Sequence, residues 1–168
     1  MGIVAPRENI KKWCDTFREQ GLKIVTTNGC FDILHIGHIE LLKRCSDYGD
    51  ILVVGINTDA SVQRLKGETR PIFPQNERAE IIAALEVVNL VTLFEEDDLP
   101  IEFIKDVRPD IHIKGGDYTK EIMSETKVVE DGGGEVVILP YTSGISTSKI
   151  MERIYNAWKP ENAITNSL

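Results

Sequence analysis

Short runs of β-branched and other apolar residues alternate with helical repeats along most of the chain, and this alternation constrains the fold most strongly. Five runs have the length and composition of buried strands: KIVTTN (23–28), DILVVGIN (50–57), LVTLF (90–94), DIHIK (110–114) and EVVILP (135–140). Strands that alternate with helices predict a parallel sheet. We therefore expect an α/β fold, a Rossmann-like doubly wound five-stranded parallel sheet with helices on both faces.

The segments between the strands have the spacing of helices. Apolar residues recur at helical spacing before Gly21 and again before Gly49, and each glycine is expected to end its helix. Further helices are predicted at the following positions: after Asp59, over 76–86, after a cap at Asp98, in part of 119–131 and over 146–155. A chain of 168 residues fits one domain. We expect this domain to cover residues 1–156, followed by a polar C-terminal tail over 157–168.

The composition argues against several classes of partner. A net charge of −8 does not favour nucleic acid, although a small anionic substrate needs only a local positive site. No apolar run is long enough to span a membrane, and the N-terminal stretch lacks an apolar signal core, so we expect a cytoplasmic protein without a membrane partner. Cys14, Cys30 and Cys45 lack CxxC or metal-ligand spacing and are expected to be free or buried thiols.

Four polar or glycine-rich stretches lie beyond the ends of predicted strands. They are GCFDILHIGH (29–38), KGETRP (66–71), KGGDY (114–118) and SGISTSK (143–149). Ligands of doubly wound sheets bind outside the carboxyl ends of the strands. We therefore expect these four stretches to converge on one binding site.

Two of the three histidines stand in GCFDILHIGH, where a strand ends and a helix begins. His35 precedes the helix and His38 lies in its first turn, so both imidazoles can add donors to the anion site of a helix N-terminus. Gly37 allows a ligand to approach the backbone closely. The motif predicts a phosphate site. Two alternatives stay open: ordinary core and surface histidines, or a metal site formed by Asp32, His35 and His38.

The stretch SGISTSK also combines hydroxyl groups with a predicted helix start. Gly144, Ser146 and Thr147 stand where free N–H groups and hydroxyls suit phosphate oxygens. An ordinary Ser or Thr N-cap explains the same pattern. The presence of the first motif favours the phosphate site over the plain cap.

Cations and glycines in or near the other two stretches are the remaining candidates. The loop cations can reach phosphates or be solvated, the glycine pair can admit a ligand or form a plain turn, and the helical arginine can form a surface salt bridge. These candidates are Lys66, Arg70, Arg78, Lys114, Gly115 and Gly116. Neither a Walker loop nor a GxGxxG motif is present, so kinase-type and dinucleotide-binding functions lack their usual signatures.

These motifs resemble those of the nucleotidyltransferase superfamily. GCFDILHIGH is similar to its HxGH signature, and GISTSK is similar to its second signature. Within the superfamily, LKGETRPI (65–72) and KGGDY are similar to the D-glycero-β-D-manno-heptose 1-phosphate adenylyltransferase family. The similar stretches extend over residues 22–155, nearly the whole chain. No sugar-kinase domain precedes them, so a stand-alone transferase is expected.

The resemblance implies a reaction in which AMP passes from ATP to a heptose 1-phosphate. The products are pyrophosphate and ADP-heptose, a precursor of lipopolysaccharide or other surface glycans. The sugar phosphate attacks the α-phosphorus directly, so catalysis consists of positioning and charge stabilisation. His35, His38 and Lys66 are the implied catalytic residues. Mg²⁺ is expected with ATP, no metal site of the protein itself is expected, and relatives imply a homodimer.

The resemblance also implies a set of binding residues. Asp32 is expected to orient the site or to reach the sugar phosphate, and Arg70 is expected to bind the sugar substrate. Ser146 and Thr147 are expected to hold the phosphates that leave. The implied nucleotide-binding residues are Gly29, Cys30, Phe31, Gly37, Arg78, Lys114, Gly115, Gly116, Asp117, Gly144, Ser146 and Thr147.

Two other functions stay open. The first is a CTP-dependent cytidylyltransferase that acts on a polyol or alcohol phosphate such as glycerol 3-phosphate. Tyr141 argues against it, because the cytidylyltransferase relatives have an Arg before their second signature. The second is a non-catalytic, nucleotide-binding regulatory module. The joint presence of the HxGH motif, Lys66 and the ISTS stretch (145–148) argues against this module, because lost catalysis removes the reason to keep these groups together.

Overall fold

A computed structural model describes residues 1–96, 100–116, 125–140 and 144–159 of the chain. Several sequence predictions concern residues that lie outside these ranges. They are the predictions for Asp98, Asp117, 119–124, Tyr141, Ser143 and 160–168.

The described residues follow the predicted alternation of strands and helices. The strands are β1 (Ile3–Val4), β2 (Ile24–Gly29), β3 (Ile51–Asn57), β4 (Leu90–Phe94), β5 (Ile111–Gly115) and β6 (Glu135–Leu139). The helices are α1 (Ile10–Glu19), α2 (Ile36–Ser46), α3 (Asp59–Lys66), α4 (Gln75–Ala83), α5 (Ile101–Val107), α6 (Glu125–Asp131) and α7 (Thr147–Ala157). A short 3₁₀ helix (Arg7–Asn9) precedes α1. All five predicted strands are present, displaced by at most one residue at either end.

The strands form one parallel sheet in the order β1-β4-β3-β2-β5-β6. From β2 the chain builds outward through β3 and β4 on one side and through β5 and β6 on the other. The strand order therefore changes direction between β2 and β5, the position at which doubly wound sheets form a ligand crevice. This arrangement confirms the predicted fold class.

The predicted number of five strands is wrong, because the sheet has a sixth strand, β1, at one edge. Its two residues are too few to produce a strand pattern in the sequence. Ile3 and Val4 become a strand only by pairing with Leu90 and Val91 of β4. This pairing is a tertiary contact and has no local sequence signal.

Helices cover both faces of the sheet, and each face has its own apolar core. On one face, Leu42 and Cys45 of α2 and Ile82 of α4 pack against the strands. On the other face, Ile10 of α1 and Phe103 of α5 are fully buried against the opposite side of the same strands. Because the sheet is covered on both faces, the central strand β3 is fully buried and almost entirely apolar, which explains its continuous apolar run in the sequence.

Two expectations from composition concern the thiols and the membrane. The three cysteines are free, and Cys14 and Cys45 are buried in the core as expected. Burial raises the pKa of each of these two thiols to about 12. Among the described helices, none combines the length and the apolar character needed to cross a bilayer.

Candidate active site

A cavity of about 690 Å³ lies at the carboxyl ends of the central strands. Asn28 and Gly29 of β2, Asn57 of β3 and Lys114 and Gly115 of β5 form its floor. The cavity therefore occupies the crevice where the strand order changes direction, and its residues come from distant parts of the sequence.

The cavity brings together most of the residues that the sequence predicted. They are Gly29, Cys30, Phe31, Asp32, His35, Gly37, His38, Lys66, Arg70, Lys114, Gly115, Gly144, Ser146 and Thr147. Arg78 and Gly116 do not line the cavity. The four predicted stretches therefore converge as expected, since the described parts of all four contribute to the same wall.

The two motif histidines stand at the N-terminus of α2. His35 is the N-cap in an extended conformation, and the His38 backbone N–H donates to the His35 carbonyl over 3.0 Å. Their rings stack with centroids 3.7 Å apart. The Nδ1 atoms of both rings are buried and have no hydrogen-bond partner among the described residues. The two rings therefore contact each other by stacking, and their Nδ1 atoms make no hydrogen bond to the described part of the protein.

Both imidazoles are neutral at physiological pH. Burial lowers the pKa of His35, and it lowers the pKa of His38 to about 4 together with the neighbouring His35, against an opposing effect of Asp32. A neutral imidazole carries one N–H donor, and a helix N-terminus already attracts anions. The pair therefore supplies hydrogen-bond donors for phosphate oxygens without placing two positive charges side by side.

The backbone between β2 and His35 is strained. Phe31 and Ile33 have φ angles of 47° and 52°, in the left-handed region that bulky and β-branched residues rarely adopt. The buried Phe31 ring packs against the His38 ring with centroids 5.2 Å apart. Strain of this kind persists only where the surrounding contacts enforce it and is common at functional sites.

Asp32 enforces this loop conformation through contacts with two other segments. Its carboxylate, fully buried, accepts hydrogen bonds from Arg70 Nε over 2.6 Å and from the backbone N–H groups of Ile72 and Phe73 over 2.9 and 3.0 Å. Its carbonyl accepts from the Thr147 hydroxyl over 2.7 Å. Asp32 therefore joins the first signature, the loop after α3 and the second signature.

These bonds agree with the first of the two roles expected for Asp32, that of orienting the site, and this role stays a prediction. Burial alone would raise the pKa of Asp32, but the N–H groups of Phe73 and Ile72 and the Arg70 guanidinium lower it below its usual range. The carboxylate is therefore ionised and already fully engaged. Arg70 lines the cavity with its Nε committed to Asp32.

The second signature begins α7, and its two hydroxyls have different partners. Ser146 is the N-cap, and its hydroxyl accepts a hydrogen bond from the Lys149 backbone N–H over 3.3 Å. Thr147, the first helical residue, donates its single hydroxyl hydrogen to Asp32. The cap at Ser146 is thus present as the sequence indicated, whereas the Thr147 hydroxyl acts as a link within the protein.

We expect the substitution Thr147→Val to weaken this link. It removes the donor to a buried carbonyl and keeps the β-branched shape, so the free energy of unfolding should fall by about 1–3 kcal/mol. Thr147→Ser keeps the hydroxyl and is the matched control. Thermal unfolding of both variants measures the difference. If Thr147→Val has the same melting temperature as the wild-type protein, the hydroxyl does not hold the two signatures together.

Arg78 lies behind the cavity wall. It is 1% exposed, and its guanidinium donates to the carbonyls of Cys30, Asn57 and Phe73. It also forms an ion pair with Asp59 over 2.7 Å. The alternative of a surface salt bridge is therefore wrong, because Arg78 is buried. Its hydrogen bonds connect the segments at the ends of β2 and β3.

Gly115 and Gly116 have structural partners. A Cβ atom at Gly115 would lie 3.1 Å from the Leu41 side chain of α2, so the missing side chain admits this helix. Gly116 has a φ of 138°, and its N–H donates to the Leu139 carbonyl over 2.9 Å. Helix packing and a turn therefore account for the two glycines, and Gly115 also lines the cavity.

The structure adds residues to the site that the sequence did not single out. They are Asn28, Asn57 and Lys149, which line the cavity, and Glu125, which contacts the cavity residue Lys114. Asn28 and Asn57 are polar residues at strand ends, the same signal that identified the motifs. Lys149 belongs to SGISTSK, and its ammonium group donates to the Gly144 carbonyl. Glu125 has no local signal, because its partner is distant in sequence.

The alternative of a metal site in the first motif does not agree with these contacts. Asp32 turns its carboxylate towards Arg70 and the Ile72–Phe73 backbone. In the part of the chain that the structure describes, no three His, Cys, Asp or Glu side chains are grouped to hold a metal ion. The polar groups of the cavity are mainly donors, which suit an anion.

The fold and the cavity together define a class of protein: Rossmann-like α/β proteins with a donor-rich cavity at the point where the strand order changes direction. The sequence profile of the Cytidylyltransferase-like family matches residues 26–153. The chain therefore belongs to the Cytidylyltransferase-like family.

Two relatives of the same name refine this assignment. The chain is 50% identical over 139 residues to the bifunctional protein HldE of Citrifermentans bemidjiense, an alignment that covers 83% of this chain and 28% of that protein. It is 46% identical over 144 residues to the bifunctional protein HldE of Geobacter metallireducens, with 86% and 29% covered. The chain thus spans only about three-tenths of the length of these relatives.

Two solved structures have a similar fold. The crystal structure of the lipopolysaccharide core biosynthesis protein from Thermoplasma volcanium GSS1 is 31% identical and matches 74% of this chain and 100% of that chain, with a TM-score of 0.61. The pantoate-beta-alanine ligase from Francisella tularensis has the same TM-score of 0.61 at 17% identity, covering 93% of this chain and 78% of that chain. At this lower identity, the second comparison supports the fold alone.

Proposed function

We propose that the chain is an adenylyltransferase that transfers AMP from ATP to a heptose 1-phosphate and releases pyrophosphate. The observation that carries this proposal is the neutral His35–His38 pair at a helix N-terminus, in one cavity with the start of α7 and several cations. The stretches LKGETRPI and KGGDY resemble those of the heptose 1-phosphate adenylyltransferase family, and this resemblance supports a heptose substrate. The similarity to a lipopolysaccharide core biosynthesis protein is consistent with it.

The reaction needs no covalent intermediate with the protein. An oxygen of the sugar phosphate attacks the α-phosphorus of ATP and forms a new P–O bond. The bond from the α-phosphorus to the bridging oxygen breaks, and its electrons leave with pyrophosphate. The protein contributes position and charge stabilisation, which together supply most of the catalysis in such transfers.

The cavity residues suit different parts of this transfer. His35 and His38 donate hydrogen bonds to the oxygens of the α-phosphate as negative charge increases on them. Lys66, exposed at the C-terminal end of α3, neutralises phosphate charge. The N-terminal N–H groups of α7 and the Ser146 hydroxyl bind the leaving pyrophosphate.

The donor set fits a divalent cation that arrives with the nucleotide. Asp32 is the only carboxylate among the described cavity residues, and it is engaged by Arg70. Mg²⁺ bound to the triphosphate would neutralise the charge of the leaving group, and the phosphates and water would be its ligands.

We further propose a cytoplasmic homodimer, whose mass in solution can be measured by light scattering.

Pyrophosphate release with ATP and with CTP, each tested against a panel of sugar 1-phosphates and glycerol 3-phosphate, tests the proposal. We expect release with ATP and a heptose 1-phosphate, with kcat/KM for ATP at least about tenfold above that for CTP. A single hydrogen bond to the base contributes up to about 1.5 kcal/mol, and 1.4 kcal/mol corresponds to about tenfold. The family name gives the CTP-dependent alternative a specific basis.

The other outcomes of the same assay separate the alternatives. A preference for CTP and a polyol phosphate would replace the heptose proposal by the cytidylyltransferase alternative. Nucleotide binding without pyrophosphate release from any pair would favour the non-catalytic module.

A further inference from the structure

Three polar side chains form a chain of contacts beside the crevice between β2 and β5. The Lys114 ammonium group donates to Asn28 Oδ1 over 2.8 Å and forms an ion pair with Glu125 Oε1 over 3.0 Å. Asn28 lies near the end of β2, Lys114 near the end of β5, and Glu125 begins α6. Asn28 and Lys114 line the cavity, whereas Glu125 lies behind it and is 4% exposed.

The chemistry of lysine fixes the orientation of the Asn28 amide. An ammonium group has three donors and no acceptor, so Asn28 must turn its oxygen towards Lys114. The NH₂ group of the amide is then the free end. Within the described ranges, this NH₂ group donates to no protein acceptor, and the residue is only partly buried at the cavity wall. Asn28 therefore offers two unused donors to a ligand in the crevice.

Glu125 determines where the Lys114 ammonium group lies. The lysine side chain is 15% exposed, so its charge needs a compensating group, and the Glu125 carboxylate, 5% exposed, supplies it from behind the wall. The pair brings no net charge to the cavity. Lys114 thus contributes to the site less by its charge than by the position that it gives to the Asn28 amide.

We propose that Asn28 contacts a ligand oxygen through its NH₂ group and that Glu125 is a positioning residue that acts through Lys114. This inference rests on the proposed function for the identity of the ligand, an ATP or sugar-phosphate oxygen. It assigns a role to two residues that no motif contains.

The substitution Asn28→Asp tests the contact with the ligand. The new carboxylate keeps an oxygen for Lys114, so we expect the melting temperature to stay the same or to rise. It removes both donors and places a negative charge against a ligand oxygen. We expect kcat/KM to fall at least about tenfold, the usual loss for one hydrogen bond to a charged group, and further than for Asn28→Ala. Wild-type kcat/KM in Asn28→Asp would overturn the contact.

A double-mutant cycle of Glu125→Ala with Asn28→Ala tests the positioning. If Glu125 acts through the amide, its removal should lower kcat/KM in the wild-type background and have little further effect when Asn28 is already alanine. Glu125→Gln keeps an acceptor for Lys114. On a logarithmic scale of kcat/KM, it should recover at least half of the activity that Glu125→Ala loses. Glu130→Ala, an exposed glutamate on the same helix, is the matched control.

The cycle compares the effect of Glu125→Ala on kcat/KM in the wild-type and Asn28→Ala backgrounds. A general loss of stability lowers kcat/KM in both backgrounds and is therefore not mistaken for coupling. Additive effects of the two substitutions would overturn the positioning role, as would a failure of Glu125→Gln to recover activity. If the wild-type protein releases no pyrophosphate from any substrate pair, the proposed function fails on its own. The same variants would then be compared by calorimetric titration with ATP, where non-additive losses in affinity support the inference and additive or absent losses overturn it.

Discussion

Replacing either motif histidine by alanine should lower kcat by about 10²–10³, the usual cost of removing one preorganised transition-state donor. Each imidazole is neutral, lies at the N-terminus of α2 and has a buried Nδ1 atom without a protein partner in the described structure. His35→Ala and His38→Ala should change the melting temperature much less than the rate, because these side chains make few hydrogen bonds within the protein. Pyrophosphate release and thermal unfolding measure the two effects.

The control for the histidine variants is Ile36→Ala. Ile36 lies between them on the same helix start and is 49% exposed, so its truncation tests for a general disturbance of α2. Because burial lowers the pKa of His38 to about 4, the wild-type rate should show no dependence on His38 protonation between about pH 6 and 8. Folded His35→Ala and His38→Ala proteins with near wild-type rates would refute the phosphate-site role.

The second large effect is expected for Asp32→Asn. The substitution turns a charged acceptor of three hydrogen bonds into an amide, whose NH₂ group opposes the donors from Arg70, Ile72 and Phe73. Removing one partner of a buried ion pair costs about 3–5 kcal/mol. The melting temperature should therefore fall by roughly 6–20 °C at the usual 2–4 °C per kcal/mol. The loop that follows Lys66 and holds Arg70 should lose its anchor, and kcat/KM should fall at least about tenfold.

The pH dependence of this difference follows from the direction of the Asp32 shift. Its folded-state pKa is lowered, so the carboxylate contributes its full stability above its unfolded-state pKa of about 4. This contribution is lost as the pH falls through the folded-state value. Unfolding by denaturant at pH 7 and below pH 4 should therefore show a difference between wild type and Asp32→Asn that shrinks in acid. Asp47→Asn, an exposed aspartate at the far end of α2, is the control. An equal or growing difference in acid would mean that Asp32 is not stabilised by ionisation.

Much of the site could be predicted because a parallel sheet converts a local pattern into a common location. An apolar run marks each strand, and the residue after it lies at the same edge as the residues after the other strands. This rule was sufficient to bring His35, Lys114 and Ser146 to one cavity, although they are distant in sequence.

The rule predicts location and leaves the partners of each side chain open. Arg78 is on the helix that the sequence indicated, but its guanidinium turns inward to three backbone carbonyls. Thr147 stands at a helix start as predicted, but its hydroxyl donates to Asp32. In both cases a group that can bind phosphate is already satisfied by the protein. Whether such a group binds phosphate or bonds to another part of the protein depends on which segments pack together.

The sequence by itself determined the order of the five longer strands and of the helices, the fold class and the edge of the sheet at which the cavity lies. Strand and helix patterns are local, and the carboxyl ends of parallel strands meet at one edge. Only the tertiary structure decided the pairing of Asp32 with Arg70 and of Lys114 with Glu125, and the existence of β1. These contacts join segments that have no pattern in common. Their geometry depends on how the loops and helices pack over the finished sheet.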